Sequence, residues 1–360
     1  MLDLTGLLRT VAENSGSDLH LTAGSPPLIR VDGELRRLEG KPLTADDTAL
    51  IAHSIMPPDR RDQLEQKREA DFAHSLAGVG RFRVNVFHQR GAITVVMRRV
   101  RTSTGSFDEL GLPPVVSQLS TEARGLVLVT GPTGAGKTTT LGCMVDYINA
   151  NMPVHILTIE DPIEVLHPHK RGTVNQRELG VDTESYVDAM RAAMRQDPDV
   201  ILIGEMRDTE TVKAALAAAE TGHLVLSTLH TKDAVETVNR IVDFFPPYQH
   251  NQIRTTLASV LRGVISQRLV PRIGGGRIPA IEVLVNNGRV ADRIVDSSAT
   301  PEIHGIIAEG EFYGMQTFDQ SLLRLVQMGI VAIPDAMEAA SKPHDFTLML
   351  EQAGMHAPAA

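Results

Sequence analysis

The chain has no tryptophan and a single cysteine, Cys143. A lone thiol excludes both an internal disulfide framework and a cysteine zinc site within the chain. Aromatic residues make up 4% of the sequence, so the core is expected to be built from Leu, Ile, Val, Ala and Met. No apolar run approaches the ~20 residues needed to span a bilayer. The stretch from Met1 to Glu13 is interrupted by Asp3, Arg9 and Glu13, and no signal peptide is expected. Positive charge is also scarce: the formal net charge is −9 at pH 7, which argues against steering toward nucleic acid. A cytoplasmic chain is the expectation. Its 360 residues suffice for one large domain or two ordinary ones.

Residues 1–100 read as a small α+β domain. Leu4, Leu7, Leu8 and Val11 have helical spacing. Asp32-Gly33 separates Leu28–Val31 from Glu34–Leu38, a hairpin signal because a two-residue turn needs φ > 0. Thr44 ahead of Asp46-Asp47 marks a capped helix through Ile55. Gly80–Phe87 alternates strictly: Phe82, Val84 and Val86 share one face, and Arg81, Arg83 and Asn85 the other. Paired guanidinium groups on a strand suit a triphosphate, although a merely solvated face has the same pattern. Residues 101–114 have the Ser, Thr, Gly and Pro content of an interdomain linker. Residues 115–290 alternate short apolar strands (Gly125–Thr130, His155–Ile159, Val200–Ile203, His223–Thr228) with helical segments. That is the signature of an α/β fold with a mostly parallel sheet. Helices are expected beyond Ile281, with residues 291–360 forming a C-terminal helical region that frays from Gly354 to Ala360.

The strand Gly125–Thr130 runs into Gly131-Pro132-Thr133-Gly134-Ala135-Gly136-Lys137-Thr138, and Thr139 continues into a helix. Strand, glycine loop and helix in that order form the setting of a phosphate-binding loop. The glycines let backbone N–H groups converge on phosphate, and the helix N-terminus adds the positive end of its dipole. Lys137 is expected on the β- and γ-phosphates of ATP, and the Thr138 hydroxyl on Mg²⁺. Phosphoryl transfer needs carboxylates as well. Two strand ends offer them: Gly204-Glu205-Met206-Arg207-Asp208, and Glu160-Asp161-Pro162-Ile163-Glu164. Helix capping is their ordinary use; several at strand ends beside a phosphate loop favour the catalytic one. His223 and His230 bracket the strand between them, as γ-phosphate sensors or as satisfied structural histidines. A zinc pair lacks a third ligand at suitable spacing.

These segments resemble the ATPases of the type II and type IV pilus secretion family, and most closely its twitching-motility retraction branch. Thr158–Glu164 is similar to the family's Asp box, Arg195–Asp208 to its Walker B region, and Glu220–Thr231 to its His box. Ser17–Leu21 and Gly80–Asn85 match as well. The resemblance implies a RecA-like P-loop NTPase domain preceded by a smaller PAS-like domain, with ATP between the two. It implies a homohexameric motor at the inner-membrane pilus machine, driving a platform protein, with a second retraction ATPase as a further partner and no nucleic acid. It also implies roles: Glu164 activates water, Glu205 supports Mg²⁺ through water, His223 and His230 relay nucleotide state, and Arg81, Arg83 and Arg98 serve as arginine fingers. The single cysteine fits the retraction branch, since assembly members often carry four zinc-binding cysteines. In place of that branch's Ala-Ile-Arg-Asn-Leu-Ile-Arg-Glu segment stands Val290-Ala-Asp-Arg-Ile-Val-Asp296, which keeps Arg293 and lacks the second basic residue. An accessory paralogue or an assembly ATPase is the alternative within the family. A RecA-like nucleic-acid motor and a nucleotide-gated structural ring are the alternatives outside its function.

Overall fold

The computed structural model describes residues 3–355; most of the tail expected to fray, residues 356–360, lies outside them. The chain divides into two units, Met1–Thr102 and Ser103–Ala360. Among the described residues no helix is long and apolar enough to cross a membrane.

In the first unit, β1 (Asp18–Leu21), β2 (Leu28–Val31), β3 (Glu34–Arg37), β4 (Glu69–Leu76), β5 (Gly80–Gln89) and β6 (Ala92–Arg99) form one sheet. Its order is β3-β2-β1-β6-β5-β4, antiparallel throughout. The hairpin turn has Asp32 at φ 50° and Gly33 at φ 85°, both positive as a tight turn between twisted strands demands. Thr44 caps the helix Ala45–Ile55 in a reciprocal box with Asp47. Phe82, Val84 and Val86 are buried with Leu8, Val11 and Ile51 in one core, and Arg81, Arg83 and Asn85 lie half-exposed on the other face.

The second unit is built on β7 (Gly125–Thr130), β8 (His155–Glu160), β9 (Thr173–Glu178), β10 (Val200–Ile203), β11 (Leu224–Leu229), β12 (Leu261–Pro271) and β13 (Arg277–Val285). The order is β13-β12-β7-β11-β10-β8-β9. Only β12 and β13 pair antiparallel; every other neighbour is parallel. All residues of β7, β10 and β11 are buried, as they must be in a parallel sheet covered on both faces. This is the expected α/β class with a smaller α+β unit ahead of it.

Three expectations need correction. The stretch 101–114 is not a free linker: beyond Thr102 it packs on the second unit. Leu112 is buried there with Phe107 and Leu110 against the same core, Phe107 meets Tyr147, and the Cys143 thiol donates to the Gly105 carbonyl. Its three large apolar side chains outweigh its Gly and Pro content. The chain beyond Ile281 does not turn helical at once, because β13 runs to Val285 against β12. A boundary at residue 290 would cut the helix Gly288–Val295, whose Val290 and Ile294 are buried in the core of the second unit.

Candidate nucleotide site

β7 delivers the phosphate loop to the C-terminal edge of the parallel sheet, where open α/β sheets collect ligands. Gly131, Gly134 and Gly136 take φ of 140°, 80° and 93°, the left-handed region that side chains avoid. A Cβ at Gly131 would overlap the Gln267 carbonyl oxygen of β12. At Gly134 nothing lies within 4 Å, so the crest of the loop is open. The helix Lys137–Asn151 starts at Gly136 with no side-chain cap, which leaves its first amides for an anion. Pro132, Thr133, Gly134 and Thr138 are exposed, Thr139 is half-buried, and Ala135 is buried beneath them. Lys137 folds back, its Nζ donating to Gly131 O at 2.8 Å and Pro132 O at 3.1 Å. Burial holds its pKa below the usual lysine value despite the opposing pull of Glu205.

Glu205 follows β10 and stands at the centre of a charged chain. His230, one residue beyond β11, brings Nε2 to 3.1 Å from Glu205 Oε1, and its Nδ1 lies 3.5 Å from Lys137 Nζ. With the ring proton on Nε2, His230 donates to the carboxylate and presents a lone pair to the lysine. Arg207 donates from Nε to Glu205 Oε2 at 2.8 Å, with Nη2 at 2.7 Å, and that contact raises its pKa. A cavity of ≈ 330 Å³ opens beside them, lined among others by Glu205, Arg207, His230 and Arg240.

Glu160, last residue of β8, is largely withdrawn from water, and burial raises its carboxyl pKa. Glu164 is exposed on the loop that follows. Tyr186 links the two acidic segments: burial pushes its pKa up to about 12, reinforced by Asp161, Glu205 and Glu160. A Cβ at Gly204 would lie 3.3 Å from its hydroxyl. Among the described residues no group of three His, Cys, Asp or Glu gathers as a metal site. Mg²⁺ in phosphoryl-transfer sites typically needs only one or two protein ligands plus substrate phosphates, so an exposed Thr138 hydroxyl and the nearby Glu205 fit that ion.

The second unit therefore brings together Lys137, Glu205 and His230, but not His223. β11 pairs with β7 from Leu224↔Gly125 to Leu229↔Thr130, so His223 sits at the edge away from the phosphate loop, about 20 Å from His230 at ~3.3 Å per residue. Its Nδ1 is 3.0 Å from Ala218 O and 3.3 Å from Thr221 Oγ1. Pairing the histidines as one sensor is corrected on that ground: a strand's two ends lie on opposite edges of the sheet. Arg81 and Arg83 belong to the first unit. There Arg98 donates from Nε to Asp18 Oδ1 at 2.7 Å, tying β6 to β1. Burial alone would raise the Asp18 pKa, but bonds from Arg98 and Ser17 hold it below the usual range. Sequence reasoning assigned no role to Arg207 or Tyr186. The offset of two residues from Glu205 was the available signal for the arginine.

A glycine loop with its lysine at the C-terminal edge of a parallel sheet, beside an acid–histidine pair, defines a P-loop ATPase. A family model described as type II/IV secretion system protein matches residues 3–300, and the chain belongs to that family. It is 45% identical over 345 residues to the type IV pilus retraction ATPase PilT of Pseudomonas aeruginosa, covering 96% of this chain and 100% of that one. Similarity to the type IV pilus ATPase PilU of the same organism is 40% over 351 residues, covering 97% and 92%. The solved structure of the pilus retraction motor PilT with bound ADP superimposes with a TM-score of 0.87 at 46% identity, covering 96% of this chain and 99% of that one.

Proposed function

We propose that this chain is the ATP-hydrolysing motor subunit of type IV pilus retraction, working as a homohexamer on the cytoplasmic side of an inner-membrane pilus machine. The observation that carries it is 45% identity to a retraction ATPase over 96% of this chain and 100% of that one. ATP enters at residues 131–138, where Lys137 leaves the Gly131 and Pro132 carbonyls for the β- and γ-phosphates. Thr138 and Glu205 would hold Mg²⁺, which would neutralise phosphate charge. Glu164 orients the attacking water and takes its proton. His230, between Lys137 and Glu205, relays nucleotide state to the helix that follows it; His223 serves from the opposite sheet edge. Arg81 and Arg83 are the arginine-finger candidates carried by the first unit. The partner is a membrane-embedded platform protein.

A strain lacking this chain tests the reading: loss of twitching with excess surface pili is expected, and loss of pili would contradict it. One observation favours a second reading, an accessory motor beside another retraction ATPase. In the helix Gly288–Val295 the lone basic residue of the divergent segment, Arg293, is engaged with Glu302 at 2.7 Å. Twitching that persists at reduced strength would point there.

A further inference from the structure

The loop after β8 is held by side chains of an edge strand that has no assigned role. β9 pairs parallel with β8 in the register Thr158↔Gln176 and Glu160↔Glu178, so Gln176 and Glu178 point to the same face. Glu178, 5% exposed, accepts the Ile163 amide on Oε2 at 3.1 Å. Gln176 accepts the His167 amide at 2.9 Å, and its Nε2 donates to Val165 O at 2.8 Å and to Glu160 Oε1 at 3.0 Å. Glu160 also accepts from Thr158 Oγ1 at 2.6 Å and from the backbone amide of Glu164. The backbone is thus gripped at residues 163, 164, 165 and 167. Ile163 and Val165 are buried at 2% and 6% exposure, while Glu164 between them faces out.

We propose that Gln176 and Glu178 of β9, together with Glu160, are positioning residues that set the Glu164 carboxylate to take the proton of the attacking water. The inference rests on the reading of Glu164 as the residue that activates water. Burying the Glu178 carboxylate and largely withdrawing that of Glu160 from water is unfavourable unless each is hydrogen-bonded. Here their bonds, with those of Gln176, converge on one five-residue stretch of backbone, 163–167. Fixing that backbone matters because a displacement of about 1 Å at a reacting group can cost ~10²-fold in rate. The phosphate loop on β7 lies three strands away and shares none of these bonds.

The test uses the full chain, with phosphate release for kcat and KM and a fluorescent ADP analogue for affinity. Gln176→Ala is expected to lower kcat by about 10-fold or more, with KM and analogue affinity within about twofold. Glu178→Leu should do the same, and Glu178→Gln, which keeps an acceptor for the Ile163 amide, should recover most of the loss. Gln176→Glu keeps the shape and the acceptor for His167 while removing both donated bonds, and it is used if the alanine variant does not fold. Wild-type kcat in Gln176→Ala or Gln176→Glu and in Glu178→Leu, with kcat abolished in Glu164→Gln, would overturn the proposal. Parallel loss of kcat and analogue affinity would overturn it too, since that is general destabilisation. Wild-type kcat in Glu164→Gln would instead remove the underlying reading of Glu164.

Discussion

Two loops leave the same edge of the central sheet and treat their backbone in opposite ways. In residues 131–136 the glycines at positive φ open the crest of the loop, and no side chain caps the helix behind it. Amides there are kept for a ligand. In residues 161–167 the amides of Ile163, Glu164 and His167 are taken by Glu178, Glu160 and Gln176. Those three amides are spent within the fold, and the loop presents the exposed side chain of Glu164. On the function proposed above, one loop binds and the other aims. On the binding side Glu205 contacts His230, which lies against Lys137.

Removing the binding side should have the largest effect. Lys137→Ala should lower phosphate release by on the order of 10³-fold, because among the described residues Lys137 is the cation that sits on the loop carbonyls. Near-normal release would break the contrast at its root. Replacing His230 by Ala should lower turnover by about 10-fold, against less than about twofold for His223→Ala, as one of them contacts Glu205 and the other lies at the opposite edge. Equal effects measured by phosphate release would mean that the sheet edge does not decide function. Gly131→Ala should destabilise the second unit by about 2 kcal/mol, read as a lower urea midpoint, since its Cβ would overlap the Gln267 carbonyl and its φ is 140°. Gly134→Ala lacks the overlap and should cost less.

The smallest effect sharpens the aiming device. Glu282 repeats it elsewhere: its buried carboxylate accepts the Ala234 amide at 2.9 Å, at the start of the helix Ala234–Asp243. Burial lifts its pKa from 4.5 to about 7, beyond what that amide offsets. In the window between those values the folded chain keeps a proton that the unfolded chain has released. Its contribution to stability is therefore fully present below the unfolded pKa and is lost as pH rises through about 7. Glu282→Gln keeps the acceptor and removes the titration. It should gain on the wild type as pH rises, by ~1–2 kcal/mol at pH 8, as read from denaturant midpoints at pH 5 and pH 8.

The binding loop was legible from sequence because its strand is apolar from Leu126 to Val129 and its glycines, lysine and threonine follow in a fixed order. β10 and β11 were legible for the same reason. The aiming device was not. Within β9 only Val174 and Glu178 are buried, so Thr173-Val-Asn-Gln-Arg-Glu178 has no apolar run to announce a strand, and its polar residues act only through partners brought close by β8. Residues 103–114 were misread because composition counts glycine and proline but does not show where Phe107, Leu110 and Leu112 dock. His223 and His230 carry equal weight in a linear sequence, whereas the fold places only His230 at the edge of the phosphate loop.

The most direct test of binding on one loop and chemistry on the other is nucleotide affinity measured beside turnover in Lys137→Ala and Glu164→Gln. The account predicts that Lys137→Ala loses both, while Glu164→Gln keeps ATP affinity within about twofold and loses turnover by ~10²-fold or more. Near-normal turnover in Glu164→Gln, or an affinity loss equal to that of Lys137→Ala, would contradict it.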